Sequence, residues 1–184
     1  MALFMSATVL APLQRNTTTV ANADTVRASS LSVSTQDSRL SGILTPEEVA
    51  LFNLTNQDRA TNGLPPCELD PGLVLIARSH SRDMCDRHYF DHLTPDPTPV
   101  SPMGRYLAYL GNRPSYAMVG ENIFYCSATL ESDQTAQRAE TAFMNSPGHR
   151  ENILRPQYTK AGIGFFRAPD GQFWVTVMFL RDMQ

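Results

Sequence analysis

Three polar side chains in this sequence are of the types that bind divalent metal ions or move protons: His92, Glu121 and His149. Two neutral imidazoles and one carboxylate suit Zn²⁺ and related ions, and three protein ligands leave a position open for water or substrate. A carboxylate that orients one histidine while another titrates near neutrality could equally serve acid–base chemistry. No local metal motif joins the three residues, so the fold has to bring them into one cleft.

The segment around His149 is dense in functional groups. Residues 146–154 read Ser-Pro-Gly-His-Arg-Glu-Asn-Ile-Leu, and the Ser-Pro-Gly start predicts a rigid turn rather than a helix or a strand. Ser146 precedes His149 closely, so one catalytic hypothesis is a nucleophilic serine with His149 as base and Glu121 orienting the ring. Against it, no nucleophile elbow or oxyanion-hole motif precedes Ser146, and Pro147 removes a backbone donor. A metal-activated water with Glu121 as base is a second hypothesis.

Glu121 is the most informative of these residues. It lies between Gly120 and Asn122 in an apolar run, residues 119–126, that predicts a strand. A charged side chain there is costly unless it is paired, although the solvent face of the strand would also accommodate it. Asn122 could face the opposite way and anchor a loop by hydrogen bonds, and Asn152 also suits structural hydrogen bonding better than chemistry.

Two helices with clear start signals come before the site residues. Thr45-Pro46-Glu47-Glu48 predicts a capping box, Asn62-Gly63 ends that helix, and Asp70-Pro71 starts a second one. One face of the second helix collects, at helical spacing, Leu73, Ile76, Ala77, His80 and Met84. His80 is therefore predicted to be a hydrogen-bonded core histidine rather than a ligand, and His88, past the helix end, to be exposed.

Residues 93–118 are predicted to form a long loop, because proline at this density is incompatible with regular structure. A loop of this length in a small domain is usually functional or mobile. Its tyrosines and leucines leave two interpretations of Tyr106 to Leu110 open. They form either a short helical turn packed on the core or part of the wall of a ligand groove.

The remaining elements complete an α+β pattern. Residues 131–144 have helical periodicity, and two apolar runs, 161–166 and 173–179, flank Asp170-Gly171 as in a β-hairpin. The order helix, helix, loop, strand, helix, hairpin indicates an antiparallel sheet with helices packed over it.

Composition and charge limit the number of domains and the kinds of partner that we expect. The 184 residues fit one domain plus a tail, and 15 basic against 18 acidic residues, without a basic run, make nucleic acid an unexpected partner. Residues 1–42 are predicted to be an apolar leader, too short to span a bilayer, and a disordered Ser/Thr-rich linker before a domain at 43–184. That layout is common in exported proteins.

Three cysteines do not make a disulfide framework. We expect Cys67, Cys85 and Cys126 to be small core residues, with one disulfide plus a free thiol as the alternative.

A set of ordered motifs extends from about residue 44 to residue 182: Leu54–Arg59, Gly63-Leu64, Phe90-Asp91-His92, Gly120–Ile123, Asn145–Leu154, Gly162-Ile163-Gly164 and Trp174. Together they resemble the CAP superfamily of cysteine-rich secretory, antigen 5 and pathogenesis-related proteins, and most closely its bacterial SCP-like branch. The resemblance implies a three-layer α-β-α sandwich with a central antiparallel sheet. It also implies an extracellular or cell-envelope location and a cavity lined by two histidines and two glutamates.

On this resemblance His92 and His149 match the two histidines of the tetrad, and Glu121 matches the first glutamate. The place of the second glutamate holds Ser146 or Asn145, which weakens any mechanism that needs two carboxylates. Because the paired histidines of family members can bind zinc, the predicted metal ligands are His92, His149 and Glu121, for Zn²⁺ or another divalent cation.

Two functional classes follow. The first is an exported, monomeric, non-enzymatic binding module with a divalent-metal-capable cleft and a small apolar or cell-envelope ligand, without nucleic acid or a transmembrane span. The second is a hydrolase, a serine-type or metal-assisted peptidase or esterase, with Glu121, His149 and Ser146 as catalytic residues. We favour the binding module.

Overall fold

The computed structural model describes residues 40–95, 100–111, 116–127 and 132–182. The predicted leader and most of the predicted linker lie outside the described residues. Within these ranges the elements are α1 (Pro46–Thr61), β1 (Glu68–Leu69), α2 (Pro71–Asp86), α3 (Pro102–Leu110), β2 (Ala117–Cys126), α4 (Ser132–Asn145), α5 (Pro147–Ile153), β3 (Lys160–Arg167) and β4 (Phe173–Asp182). None of the described helices has the length and apolar character needed to cross a membrane.

The predicted starts of α1 and α2 are confirmed. The Thr45 hydroxyl accepts from the Glu48 amide and the Glu48 carboxylate accepts from the Thr45 amide, which is a complete capping box. Asp70 caps α2 by accepting from the Leu73 amide at 3.0 Å. Beyond the C-cap of α1, Gly63 has φ +73°, a left-handed conformation that favours glycine.

One four-stranded sheet, in the order β1-β3-β4-β2, forms the middle of the domain. β3 and β4 pair antiparallel as the predicted hairpin, and β2 pairs antiparallel with β4 at one edge. At the other edge the two-residue β1 runs parallel to β3, a pairing too short to leave a pattern in the sequence.

Alternate residues of β4 define the two covered faces of the sheet. Phe173, Val175, Val177 and Phe179 belong to one core cluster with α1 and α4, whereas Met178 and Leu180 pack with α2 and α3. All six are at most 1% exposed. A strand that is apolar on both sides is expected in a sheet with helices on each face. The three-layer α-β-α sandwich is thus confirmed.

α2 lies unusually close to β3 because two glycines leave room for it. A Cβ built on Gly164 would lie 2.1 Å from the Arg78 amide nitrogen, and one on Gly162 would lie 2.4 Å from the Leu73 carbonyl carbon. The Ser81 hydroxyl contacts the Gly164 carbonyl oxygen and the Thr176 hydroxyl at 2.9 and 2.8 Å. This close contact fixes the position of α2 relative to the sheet.

Two predictions about loops were wrong. The Ser-Pro-Gly segment is not a turn but the start of α5, with Ser146 as N-cap and Pro147 in the first turn. Proline is well tolerated at that position because its missing N–H would have no helical partner. For the same reason the proline-rich loop at 93–118 contains α3, which starts at Pro102 behind the Ser101 cap.

The helical interpretation of Tyr106 to Leu110 is confirmed, since α3 covers these residues and Tyr106 is buried. All three cysteines are free. Cys67 and Cys126 are buried as predicted, but Cys85 is only partly buried, so that part of the expectation was wrong.

Candidate functional site

The site is built around two neighbouring residues of the edge strand β2 that point to opposite faces of the sheet. Glu121 pairs in register with Met178, which faces α2 and α3. Asn122 pairs with Val177, which belongs to the cluster with α1 and α4. Because side chains alternate along a strand, one short segment supplies a carboxylate to one face and an amide to the other.

Glu121 is a buried carboxylate, not a solvent-facing one, and three side chains approach it. The exposed fraction of its side chain is 1%. Its Oε1 accepts from His92 Nδ1 at 2.8 Å and lies 3.7 Å from His80 Nε2, and its Oε2 accepts from Arg105 at 2.5 Å. The cost of burying the carboxylate is therefore offset by ion pairing and hydrogen bonds.

Arg105 was not singled out from the sequence, yet it links three parts of the site. From α3 it donates to Glu121 Oε2, to the His92 carbonyl oxygen at 3.1 Å and to the Val100 carbonyl oxygen at 2.9 Å. These bonds hold the loop that carries His92 against the sheet. The only available signal was the Ser101-Pro102 helix start, which places Arg105 one turn into α3.

His80 is a buried core histidine, as predicted, but it also belongs to the site. Its Nε2 lies 3.2 Å from the Asp91 carbonyl oxygen and its Nδ1 lies 3.3 Å from the Tyr89 hydroxyl, which donates to Asp83 at 2.6 Å. Since a carbonyl oxygen can only accept, Nε2 carries the ring proton. Burial lowers the pKa of His80 to about 4, an effect that Glu121 opposes.

We expect His80 to make the protein acid-sensitive. In the unfolded chain the ring binds a proton near its ordinary pKa of 6.5, but in the folded protein only near 4. The free energy of unfolding should therefore fall by about 3 kcal/mol as the pH drops through this interval. An NMR titration of the ring Cε1 proton gives the folded-state pKa directly, and a midpoint above 6 would contradict the expectation.

On the other face of the sheet, α5 is held by amide side chains. Asn122 Nδ2 donates to the His149 carbonyl oxygen at 3.0 Å, and Asn152 Nδ2 donates to Asn122 Oδ1 at 2.9 Å and to the Glu121 carbonyl oxygen at 3.2 Å. The structural roles predicted for Asn122 and Asn152 are confirmed. The bond from Asn152 to the Glu121 carbonyl oxygen also satisfies a main-chain acceptor of the edge strand β2.

The His149 ring packs edge-on against Phe143, with ring centroids 5.3 Å apart. Burial lowers the pKa of His149, and the nearby His92 lowers it further. Both effects favour the neutral imidazole, the form that binds metal ions. His149 and His92 are thus electrostatic neighbours at the β2 edge, although they are held there by different elements.

The structure joins His92 to Glu121 directly, whereas His149 lies in α5 and Ser146 is the N-cap of that helix. The Ser146 side chain makes no cap hydrogen bond. Within the described part of the chain, no group of three or more His, Cys, Asp or Glu side chains is arranged to hold a metal ion. Both oxygens of Glu121 are engaged by His92 and Arg105. The Glu121 carboxylate therefore joins His92 to Arg105.

This chain is similar to proteins of known sequence and structure. It is 37% identical over 127 residues to the protein YkwD of Bacillus subtilis (strain 168), a match that covers 69% of this chain and 44% of YkwD. The crystal structure of an extracellular protein containing an SCP domain, from Bacillus anthracis strain Ames, matches with a TM-score of 0.56 and 32% identity and covers 76% of this chain and 44% of that one. This chain therefore spans less than half the length of either relative.

A third match shows the fold alone. The crystal structure of NaASP2 with Zn²⁺ has a TM-score of 0.55 at 13% identity and covers 74% of this chain and 80% of that chain.

The model of the cysteine-rich secretory protein family, CAP, matches residues 52–179, a range that includes His92, Glu121 and His149. With this match over most of its length, and with the α-β-α sandwich described above, the chain belongs to the CAP family.

Proposed function

We propose that this CAP domain is an exported, monomeric, non-enzymatic binding module. Its cleft takes a divalent cation, Zn²⁺ or another, on His92 and His149, and a neighbouring surface takes a small apolar or cell-envelope ligand. The extracellular protein of B. anthracis, 32% identical, supports the exported location. The crystal structure of NaASP2 with Zn²⁺, a relative by fold alone, makes zinc the first ion to test.

One observation carries the proposal of a metal site. The buried carboxylate of Glu121 holds Nδ1 of His92, whose side chain is 45% exposed, so Nε2 keeps its lone pair for a ligand. A carboxylate behind a ligating histidine is the usual arrangement in metal sites, because it fixes the ring and raises its basicity. His149, kept neutral by burial, supplies a second imidazole. These donors fit a cation bound by two histidines and water.

The apolar part of the proposal is supported by α3. Arg105 connects this helix to Glu121. At the C-terminal end of the same helix, Tyr109 is 52% exposed and Leu110 is 36% exposed. Leu93, next to His92, is 47% exposed. Large apolar side chains near a polar cleft are typical of sites that bind amphiphilic ligands.

The metal site is tested by calorimetric titration of Zn²⁺ into the wild type, His92→Ala and His149→Ala under reducing conditions. We expect saturable heat in the wild type and at least tenfold weaker binding in each variant, because each loses an imidazole ligand. His88→Ala is the matched control, since His88 is exposed and is not one of the proposed ligands. Equal heats in all four proteins would refute the metal site.

The hydrolase alternative has less support. Ser146 leaves its hydroxyl out of the helix cap, which keeps it available as a nucleophile. However, the carboxylate of Glu121 orients His92, while a serine triad would need an acid on His149. Turnover of a peptide and ester library that is lost in Ser146→Ala would favour the serine route. Turnover that survives this substitution but is lost with a chelator would favour a metal-activated water.

A further inference from the structure

A cavity opens near the β3–β4 turn, apart from the proposed His92–His149 site. Its volume is about 750 Å³, within the usual range of about 300–1,000 Å³ for small-molecule sites. α2, the segment after it, β2 and the hairpin all contribute to its wall. Neither His92, Glu121 nor His149 lines it.

Three aromatic rings form one wall of this cavity. Phe90 and Tyr125 have ring centroids 6.2 Å apart, and Tyr125 and Trp174 are 4.9 Å apart. Trp174 is buried, but Phe90 is 50% exposed and Tyr125 is 39% exposed. Exposed aromatic surface of this extent, continuous with a concave cavity, marks a place where a ligand can be bound.

The charge of the lining favours a cation. Of the described residues that line the cavity, Asp86 and Asp170 are acidic and none is lysine or arginine. Burial raises the pKa of the Cys85 thiol in the same wall, and these two carboxylates raise it further, so both acids act on this wall. Aromatic ring faces add to the effect of these carboxylates, because they too carry negative potential.

Two nearby arginines are engaged by other groups and do not act as the cation of this cavity. Arg82 pairs with Asp86 and lies over Phe166, while Arg87 lies over the ring of Tyr89 at 5.8 Å and donates to the Pro95 carbonyl oxygen. The Arg82–Asp86 pair is solvent-exposed and therefore screened. The arginine on Tyr89 shows that a ring of this cavity already accepts a cation on one face.

The polar groups of the rim are largely bonded to one another. The Tyr125 hydroxyl donates to Gln172 Oε1 at 2.7 Å, and Asp170 Oδ1 accepts from the Gln172 amide at 3.1 Å. A neutral polyol would need free donors and acceptors in a defined pattern. An organic cation needs only ring faces and a negative field. We infer that this cavity binds a substituted ammonium group, through the Phe90, Tyr125 and Trp174 rings and the carboxylates of Asp86 and Asp170.

Choline and its neutral carbon isostere, 3,3-dimethylbutan-1-ol, are probes of the same shape that differ in charge. Trp174 is the single tryptophan of the chain, so its fluorescence reports on this cavity. At constant ionic strength we expect a saturable fluorescence change with choline and at least tenfold weaker binding of the neutral alcohol. Broadening of the choline N-methyl proton resonance in NMR gives a second, independent measure of binding.

Asp170→Asn is the decisive variant. It removes the charge but keeps the oxygen that accepts from Gln172, so the turn should stay intact, and we expect choline to bind several-fold more weakly. Glu151→Gln, which removes an exposed charge on α5, should bind choline like the wild type. Equal affinity for both probes, an unchanged affinity in Asp170→Asn, or the absence of both signals would overturn the inference.

Discussion

Glu121→Gln should lower the free energy of unfolding by about 3–5 kcal/mol, the usual effect of removing one partner of a buried ion pair. The guanidinium of Arg105, whose side chain is only 11% exposed, would keep its charge but lose its counter-ion. His92 would also lose the carboxylate that accepts from its Nδ1. Urea denaturation at neutral pH, with the slope held common to both proteins, measures the change.

Glu151→Gln is the matched control for this experiment. Glu151 pairs with Arg155 on the surface, with a side chain that is 68% exposed, and its loss should cost about 0.5 kcal/mol or less. In a double-mutant cycle, the variant that carries both Glu121→Gln and Arg105→Met should regain part of the lost free energy of unfolding, because removing both charges leaves no unpaired cation. If Glu121→Gln were as stable as the control, the buried carboxylate could not be what holds the site together.

The elements that depend on only a few adjacent residues were predicted correctly from the sequence. The capping box at Thr45, the Asp70 cap and the hairpin around Asp170-Gly171 each depend on a few adjacent residues, and all three are present. The alternation of Glu121 and Asn122 follows in the same way from the period of a strand. Once β2 was placed in the sheet, both side chains had determined faces.

Proline was the main source of error, because it is compatible with two local structures. At Ser101-Pro102 and Ser146-Pro147 it occupies the first turn of a helix, although each segment also matches a turn pattern. Packing decides between the two. In α5, Ile153 is fully buried and Asn152 is bonded to β2, contacts that a short pattern of residues does not reveal.

Arg105 illustrates a second limit. Its three acceptors are Glu121 and the carbonyl groups of His92 and Val100, and the first two are remote in sequence. His80 was correctly placed in the core, but its distance to Glu121 depends on how closely α2 approaches the sheet over Gly162 and Gly164. His92 and Glu121 could thus be named from the sequence, whereas the parts that Arg105 and His80 play around Glu121 could not.

Another buried acid, Glu140, lies where α4 packs on α1, outside the site. It is 2% exposed, and its Oε2 accepts from the Thr55 hydroxyl at 2.9 Å. Its Oε1 is buried without a hydrogen-bond partner in the described part of the chain. Burial raises the pKa of Glu140 to about 8, with Thr55 opposing the rise and the Asp58 carboxyl adding to it. A protonated Glu140 can donate a hydrogen bond to Asp58, so the second oxygen also has a partner.

This raised pKa makes the stability of the protein fall with increasing pH. The folded protein keeps the Glu140 proton up to about pH 8, whereas the unfolded chain releases it near the ordinary value of 4.5. Between these values the folded state binds more protons, so the free energy of unfolding should decrease by roughly 5 kcal/mol from this residue alone. Below pH 4.5 the contribution of Glu140 to stability is constant, and above about pH 8 it is lost completely.

Glu140→Gln isolates this contribution, because the amide can donate to Asp58 and accept from Thr55 without titrating. Its free energy of unfolding should exceed that of the wild type by several kcal/mol at pH 9, and the difference should shrink steadily toward pH 5. Glu68→Gln, at an exposed position of β1, should leave the wild-type pH dependence unchanged. Since His80 affects both proteins equally, the difference between their urea-denaturation curves reports Glu140 alone. A difference that does not vary with pH would show that Glu140 is ionised in the fold and that its burial is compensated in another way.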